Sequence, residues 1–181
     1  MWKPRRFLAA NFTFASSPGF ATSKNATDHA YRPLPERDEN AQAARFANLL
    51  YQYTGDTGDQ KTARRAMRYL ATPEVATARL SAPILLSEAQ FTQPAVHITI
   101  VGSKQDQAAR GLFATASADA PLYRWLEWWD RSEEPLPRAD IEYPSLPKAG
   151  AFLCTASACS SPITDVTAFE KRLRAVRSPV Q

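Results

Sequence analysis

The chain reads as a mixed α+β protein: helical hairpins followed by a small βαβ-type sheet with flanking helices. Three observations predict this. Residues 38–71 place apolar side chains three and four apart, residues 96–101 alternate with a period of two, and residues 106–129 pass from a helical period to an aromatic strand. The 181 residues, 44% hydrophobic and 22% charged, have the composition of a globular chain with room for one domain or somewhat more.

Residues 1–37 show no sustained periodicity, mix aromatics with Ser, Pro, Asn and Thr, and are expected to be extended and partly ordered. The helical region spans 38–93. Asp38 is a cap candidate, and Phe46, Leu49, Leu50 and Tyr53 fall on one helical face before Gly55 ends the helix. Ala63, Ala66, Met67 and Leu70 form the facing stripe of a second helix, so 38–71 reads as an antiparallel hairpin whose alanines permit close approach. Thr72-Pro73-Glu74 opens a shorter helix, which Pro83 is expected to kink or divide before Ala89.

Residues 94–181 form the third region. Val96, Ile98 and Ile100 alternate with His97, Thr99 and Val101 between Pro94 and Gly102, which is a strand. A helix over 106–118 with Ala109, Leu112, Phe113 and Ala116 on one side, then an aromatic strand over 123–129, complete a parallel βαβ unit. The proline-rich stretch 135–147 leads to a short third strand, Ala151–Cys154, and then to a loop. Val166, Phe169, Leu173 and Val176 line a last amphipathic helix, with Arg172, Arg174 and Arg177 near its end where they suit the helix dipole.

Charge and hydropathy narrow the function classes. Twenty-two basic against 18 acidic residues leave +4, scattered along the chain, which predicts no nucleic-acid partner. No apolar run approaches the roughly 20 residues of a spanning helix, so no membrane partner is expected. Lys3, Arg5 and Arg6 precede the apolar run Phe7–Phe14, an outline shared with signal peptides, but polar Asn11 and Thr13 interrupt it and no small-x-small site follows. The expectation is a cytoplasmic protein, with export through a weak N-terminal signal as the alternative. The Asn-x-Thr triplets at Asn11 and Asn25 read as chance occurrences.

The candidate chemistry is sparse. Cys154 and Cys159, with four residues between them, leave the third strand as either a reversible disulfide or a buried structural pair; the thioredoxin spacing of two intervening residues and its flanking residues are absent. Only His29 and His97 are available as bases or ligands, and a Cys154–His97–Asp165 row at one sheet end lacks a nucleophile elbow. Trp125 and Trp129, on one strand face with Glu127, are ligand-stacking candidates as well as core candidates. Glu127, Asp130, Glu133, Glu134, Asp140 and Glu142 read as a solvated rim. The Val101-Gly102-Ser103-Lys104 turn has one glycine of the three in a dinucleotide fingerprint. No metal, no cofactor and no catalytic set are expected, and the chain is not expected to be an enzyme on its own.

Four passages carry a family resemblance. Asn40–Asp56 ends Leu49-Leu50-Tyr51-Gln52-Tyr53-Thr54-Gly55-Asp56, Val96–Gly102 is a strand ending Val-Gly, and Phe12–Arg32 precedes the hairpin. Most specific is Ala151-Phe152-Leu153-Cys154 through Cys159-Ser160-Ser161-Pro162-Ile163-Thr164-Asp165. Together they resemble the C-terminal part of thioredoxin-domain-containing proteins with a six-hairpin (α/α) barrel, the spermatogenesis-associated thioredoxin-like group. The resemblance implies a non-catalytic C-terminal module or fragment of a glycosidase- or epimerase-like barrel protein, with an upstream thioredoxin or barrel domain or polypeptide as partner. The alternatives are a thiol–disulfide redox protein using Cys154 and Cys159, and a carbohydrate-binding module using Trp125 and Trp129. Members have Pro-Ser-Gly-Asn before the hairpin helix where this chain has Arg37-Asp38-Glu39-Asn40.

Overall fold

The computed structural model describes residues 4–14, 17–23, 33–78, 81–93, 95–119, 123–138, 141–155 and 158–177. His29, Asn25 and Asp140 lie outside the described residues. The architecture is α+β, and the chain forms two compact units, Met1–Gln93 and Pro94–Gln181.

The first unit is helical: α1 (Pro4–Asn11), α2 (Arg37–Thr54), α3 (Thr57–Leu70), α4 (Pro73–Ala78) and α5 (Ala82–Thr92). Helix α1 corrects the expectation of an extended N-terminal segment; Arg5 ties it to Asp56 and Asp59 at the start of α3. Gly55 ends α2 with φ 66° in the left-handed region, where its N–H reaches the Tyr51 carbonyl, and Asp56 then caps α3 through the Gly58 N–H. The hairpin is as expected, but its seam is not. Helix α2 buries Asn40, Ala41, Ala44, Ala47 and Asn48, whereas Phe46 is 51% exposed and Leu49, Leu50 and Tyr53 are half-buried. Small side chains win the seam because α2 packs against both α3 and α5, and alanines allow close approach on both sides. The stretch opened by Pro73 is divided before Ala89, as expected: α4 ends at Ala78, and Pro83 sits in the first turn of α5, where its missing N–H has no helical partner to lose.

Two side chains hold the turn before α2. Asn40, fully buried, accepts from the Phe20 N–H at 2.8 Å and donates to the Phe20 and Glu36 carbonyls. Arg65 of α3 donates to the carbonyls of Phe14, Ser17 and Gly19 and lies 5.8 Å from the Phe20 ring centroid.

The second unit is a four-stranded mixed sheet in the order β2-β1-β3-β4, with β1 (Val96–Val101), β2 (Arg124–Trp129), β3 (Gly150–Thr155) and β4 (Ala158–Cys159). Strands β1 and β2 are parallel, as the intervening helix α6 (Gln107–Asp119) requires; β3 runs antiparallel to β1, and β4 antiparallel to β3. Where a loop was expected after Cys154, β4 returns along β3, and the Ala151–Ile163 bridge continues that pairing. Helices α6 and α7 (Val166–Arg177) contribute Ala109, Leu112, Ala116, Phe169 and Leu173 to one core with Ile98, Ile100, Ala151 and Leu153 of the sheet. Gly102 follows β1 where the chain runs tight against its neighbours: a Cβ there would stand 2.7 Å from the Ala149 Cβ.

Candidate functional site: the polar face of the sheet

Because side chains alternate along a strand, the residues between the core positions of β1, β2 and β3 share the opposite face. That face carries His97 and Thr99, Trp125, Glu127 and Trp129, and Phe152 and Cys154, with Tyr143 brought in by the segment between β2 and β3. The parallel register sets His97 beside Trp125 and Thr99 beside Glu127; the antiparallel register sets His97 opposite Cys154 and Thr99 opposite Phe152.

A buried hydrogen-bonded row crosses this face. His97 Nε2 lies 2.8 Å from Glu127 Oε2 and 2.8 Å from Thr99 Oγ1, and Thr99 Oγ1 lies 2.7 Å from the Tyr143 hydroxyl. A proton on Nε2 is donated to the carboxylate, which has no proton of its own to offer when ionised; the Thr99 hydroxyl then directs its own proton towards Tyr143. His97 is 5% exposed, Glu127 6% and Thr99 0%. The His97 ring stacks on Trp125 at 3.6 Å between centroids and 7° between planes. Its Nδ1 is buried and has no hydrogen-bond partner among the described residues.

Arg131, Arg138 and Tyr143, which follow β2, lie over this face. Arg131 donates to the carbonyls of Tyr143 and Pro144 while its guanidinium sits 4.6 Å from the Trp129 ring centroid, and Arg138 sits 5.3 Å from that of Trp125. Tyr143 packs edge-on against Phe152 at 5.0 Å. Trp125 is 5% exposed, between the His97 ring and the Arg138 guanidinium, and Trp129 is half-buried with Arg131 over its ring.

Cys154 and Cys159 form a disulfide that joins directly opposed residues of β3 and β4. Cys154 is 3% exposed, whereas Cys159 on the short edge strand is exposed. Among the candidates, the structure brings together Cys154, His97 and Trp125, with Trp129 farther along the same face. Asp165 is elsewhere, capping α7 through the Ala168 N–H, and Glu127 takes its place in the row. Glu127 is also a correction to the solvated rim: its neighbours Asp130, Glu133, Glu134 and Glu142 are surface residues, but Glu127 itself points into the face with His97. The signal that would have found it is parity, since 97, 99, 125, 127 and 129 all fall on the same side once β1 and β2 are parallel.

The turn after β1 borders a separate cleft of about 240 Å³, lined by Ser103, Asp106, Asp130, Arg131, Lys148 and neighbouring backbone. Its helix N-terminus is occupied by Asp106, which caps α6, and Lys104 is paired with Glu133. Backbone N–H groups of Lys104 and Ser132 hold Asp130 down to about 2. The cleft thus resembles a carboxylate-lined turn more than an anion-binding loop. Among the described residues, no group of three His, Cys, Asp or Glu is arranged to hold a metal ion, and no helix is long and apolar enough to cross a membrane.

The class defined by these features is a small α+β unit whose sheet carries a cross-strand disulfide beside a buried His–Glu pair. No family model, no curated protein and no solved structure matches the chain.

Proposed function

We propose that the chain is a thiol–disulfide exchange protein centred on Cys154 and Cys159. The observation that carries this reading is the asymmetry of the pair: Cys159 is exposed and Cys154 is 3% exposed, so an external thiolate has one sulfur to attack. In the exchange, the incoming thiolate forms a bond to Cys159 Sγ, the Cys154–Cys159 bond breaks, and its electron pair leaves with Cys154 Sγ. A second thiolate then displaces Cys159 from the mixed disulfide, and the dithiol form is complete. Incubating the oxidised protein with reduced glutathione, trapping with an alkylating agent and mapping peptides by mass spectrometry tests this. Glutathione on Cys159 and alkylation of Cys154 are expected; a disulfide that resists reduction until the protein is unfolded would sink the reading.

A second reading, the non-catalytic module of a thioredoxin-domain-containing barrel protein, is favoured by the exposed apolar side chains Phe46 (51%), Leu85 (48%) and Leu86 (40%) on α2 and α5. It predicts a one-to-one complex with the barrel portion of such a protein on size-exclusion chromatography, lost on Phe46→Glu. If the two elute separately, this reading goes.

A further inference from the structure

We infer that His97, held by Glu127, takes up one proton at Nδ1 when the disulfide opens, so that the reduced unit carries a buried row of thiolate, imidazolium and carboxylate: Cys154, His97, Glu127. The inference rests on the exchange reading above and deepens it.

Three observations converge. First, His97 and Cys154 are directly opposed across β1 and β3, which puts their Cβ atoms about 5 Å apart on one face. Trp125 stacks on the imidazole from the β2 side, and β3, which carries Cys154, lies on the other side of β1. Second, Nε2 is already engaged by Glu127 and Thr99. Third, Nδ1, in a side chain 7% exposed, has no hydrogen-bond partner among the described residues. It is therefore the open protonation site on the ring, and the carboxylate at Nε2 supplies the counter-charge that a buried imidazolium needs.

Attack at Cys159 expels Cys154 as a thiolate, which needs no proton while an imidazolium stands beside it. The proton reaches Nδ1 from solvent, which received it when the attacking thiol ionised; closing the disulfide, in which Cys154 Sγ attacks the mixed disulfide at Cys159 and expels the external thiolate, returns it to solvent. Lower basicity in the departing sulfur speeds the opening step. The other titratable or charged groups about the ring are few: Tyr143 through Thr99, and Arg138 over Trp125, while β3 brings only Cys154.

The test uses two measurements. In Cys159→Ala, the ultraviolet absorbance of the Cys154 thiolate is followed with pH, with and without His97→Gln. The thiolate-to-thiol ratio at neutral pH is expected to fall roughly tenfold or more when His97 is lost. In the unaltered protein, nitrogen NMR of the His97 ring is recorded before and after reduction, and Nδ1 is expected to move to the protonated position. A thiolate titration indifferent to His97, or an Nδ1 resonance unmoved by reduction, overturns the inference while leaving glutathione exchange at Cys159 intact. Failure of that exchange with a His97-dependent titration removes the enzyme-like reading and leaves the pairing.

Discussion

Glu127 and His97 can be removed singly and together, and the comparison measures what the pair is worth. Their side chains are 4% and 7% exposed, with 2.8 Å between Oε2 and Nε2, so solvent does little to screen them. Glu127→Leu leaves the imidazole with Thr99 alone, and His97→Leu leaves a buried carboxylate without its donor. Stripping a buried polar group of its partner costs about 1–3 kcal/mol, and more where a charge is stranded. His97→Leu also loses the stacking on Trp125, worth about 0.5–1.5 kcal/mol. Each single change should therefore destabilise by about 3 kcal/mol. The double variant leaves neither group stranded and should cost little more than one alone, a coupling of about 2–3 kcal/mol. Urea unfolding followed by tryptophan fluorescence is the assay, because Trp125, Trp128 and Trp129 all belong to the unit that holds the pair. Single effects that add to within about 0.5 kcal/mol in the double variant would show two independent side chains and refute the reasoning.

Three further outcomes are expected. The disulfide closes a loop with a sequence separation of 5, for which chain entropy gives about 2 kcal/mol, so joint Cys154→Ala and Cys159→Ala should lower Tm by roughly 10 °C; an unchanged thermal melt contradicts this. Asn40→Ala strands the Phe20 N–H and carbonyl inside the helical unit and should cost about 3 kcal/mol by guanidinium unfolding read by circular dichroism, where a loss under 0.5 kcal/mol would be decisive against it. Asp130, lowered from 3.8 to about 2 by the N–H groups of Lys104 and Ser132, favours the fold above its unfolded value and stops doing so as pH falls through about 2. Asp130→Asn should flatten the stability profile between those two values; an acid limb that overlays the parent's disproves the assignment.

The sheet unit was legible where period and burial agree. Ile98 and Ile100 alternate with His97 and Thr99 because β1 is covered on both faces by different partners, and α6 and α7 announce themselves through Leu112 and Phe169. Strand β4 was not, since two residues carry no period of their own and are held by the disulfide and by the Leu153–Ser160 hydrogen bonds. Helix α2 misled because it has two apolar stripes. Hydrophobicity favours Phe46, Leu49 and Leu50, but steric closeness to α3 and α5 selects Ala41, Ala44 and Ala47. Of the site, Cys154, Cys159, His97 and Trp125 were visible as residues. The sequence allows a row of Cys154 and His97 with Asp165 as its acid; the register of β3 on β1 that sets those two opposite each other is a non-local pairing that no local pattern encodes, and the pairing of β2 with β1 puts Glu127 in the place given to Asp165.

The arginine clamp on the N-terminal turn orders events in time. The carbonyls of Phe14, Ser17 and Gly19 converge on one guanidinium that arrives from α3, and Phe20 is read by an asparagine from α2. These side-chain bonds come from both helices of the hairpin, so the turn settles only once α2 and α3 exist to receive it. In unfolding the sequence reverses: the amide of Phe20 becomes open to hydrogen exchange as soon as α2 and α3 part, and marks in a single resonance the moment the hairpin gives way.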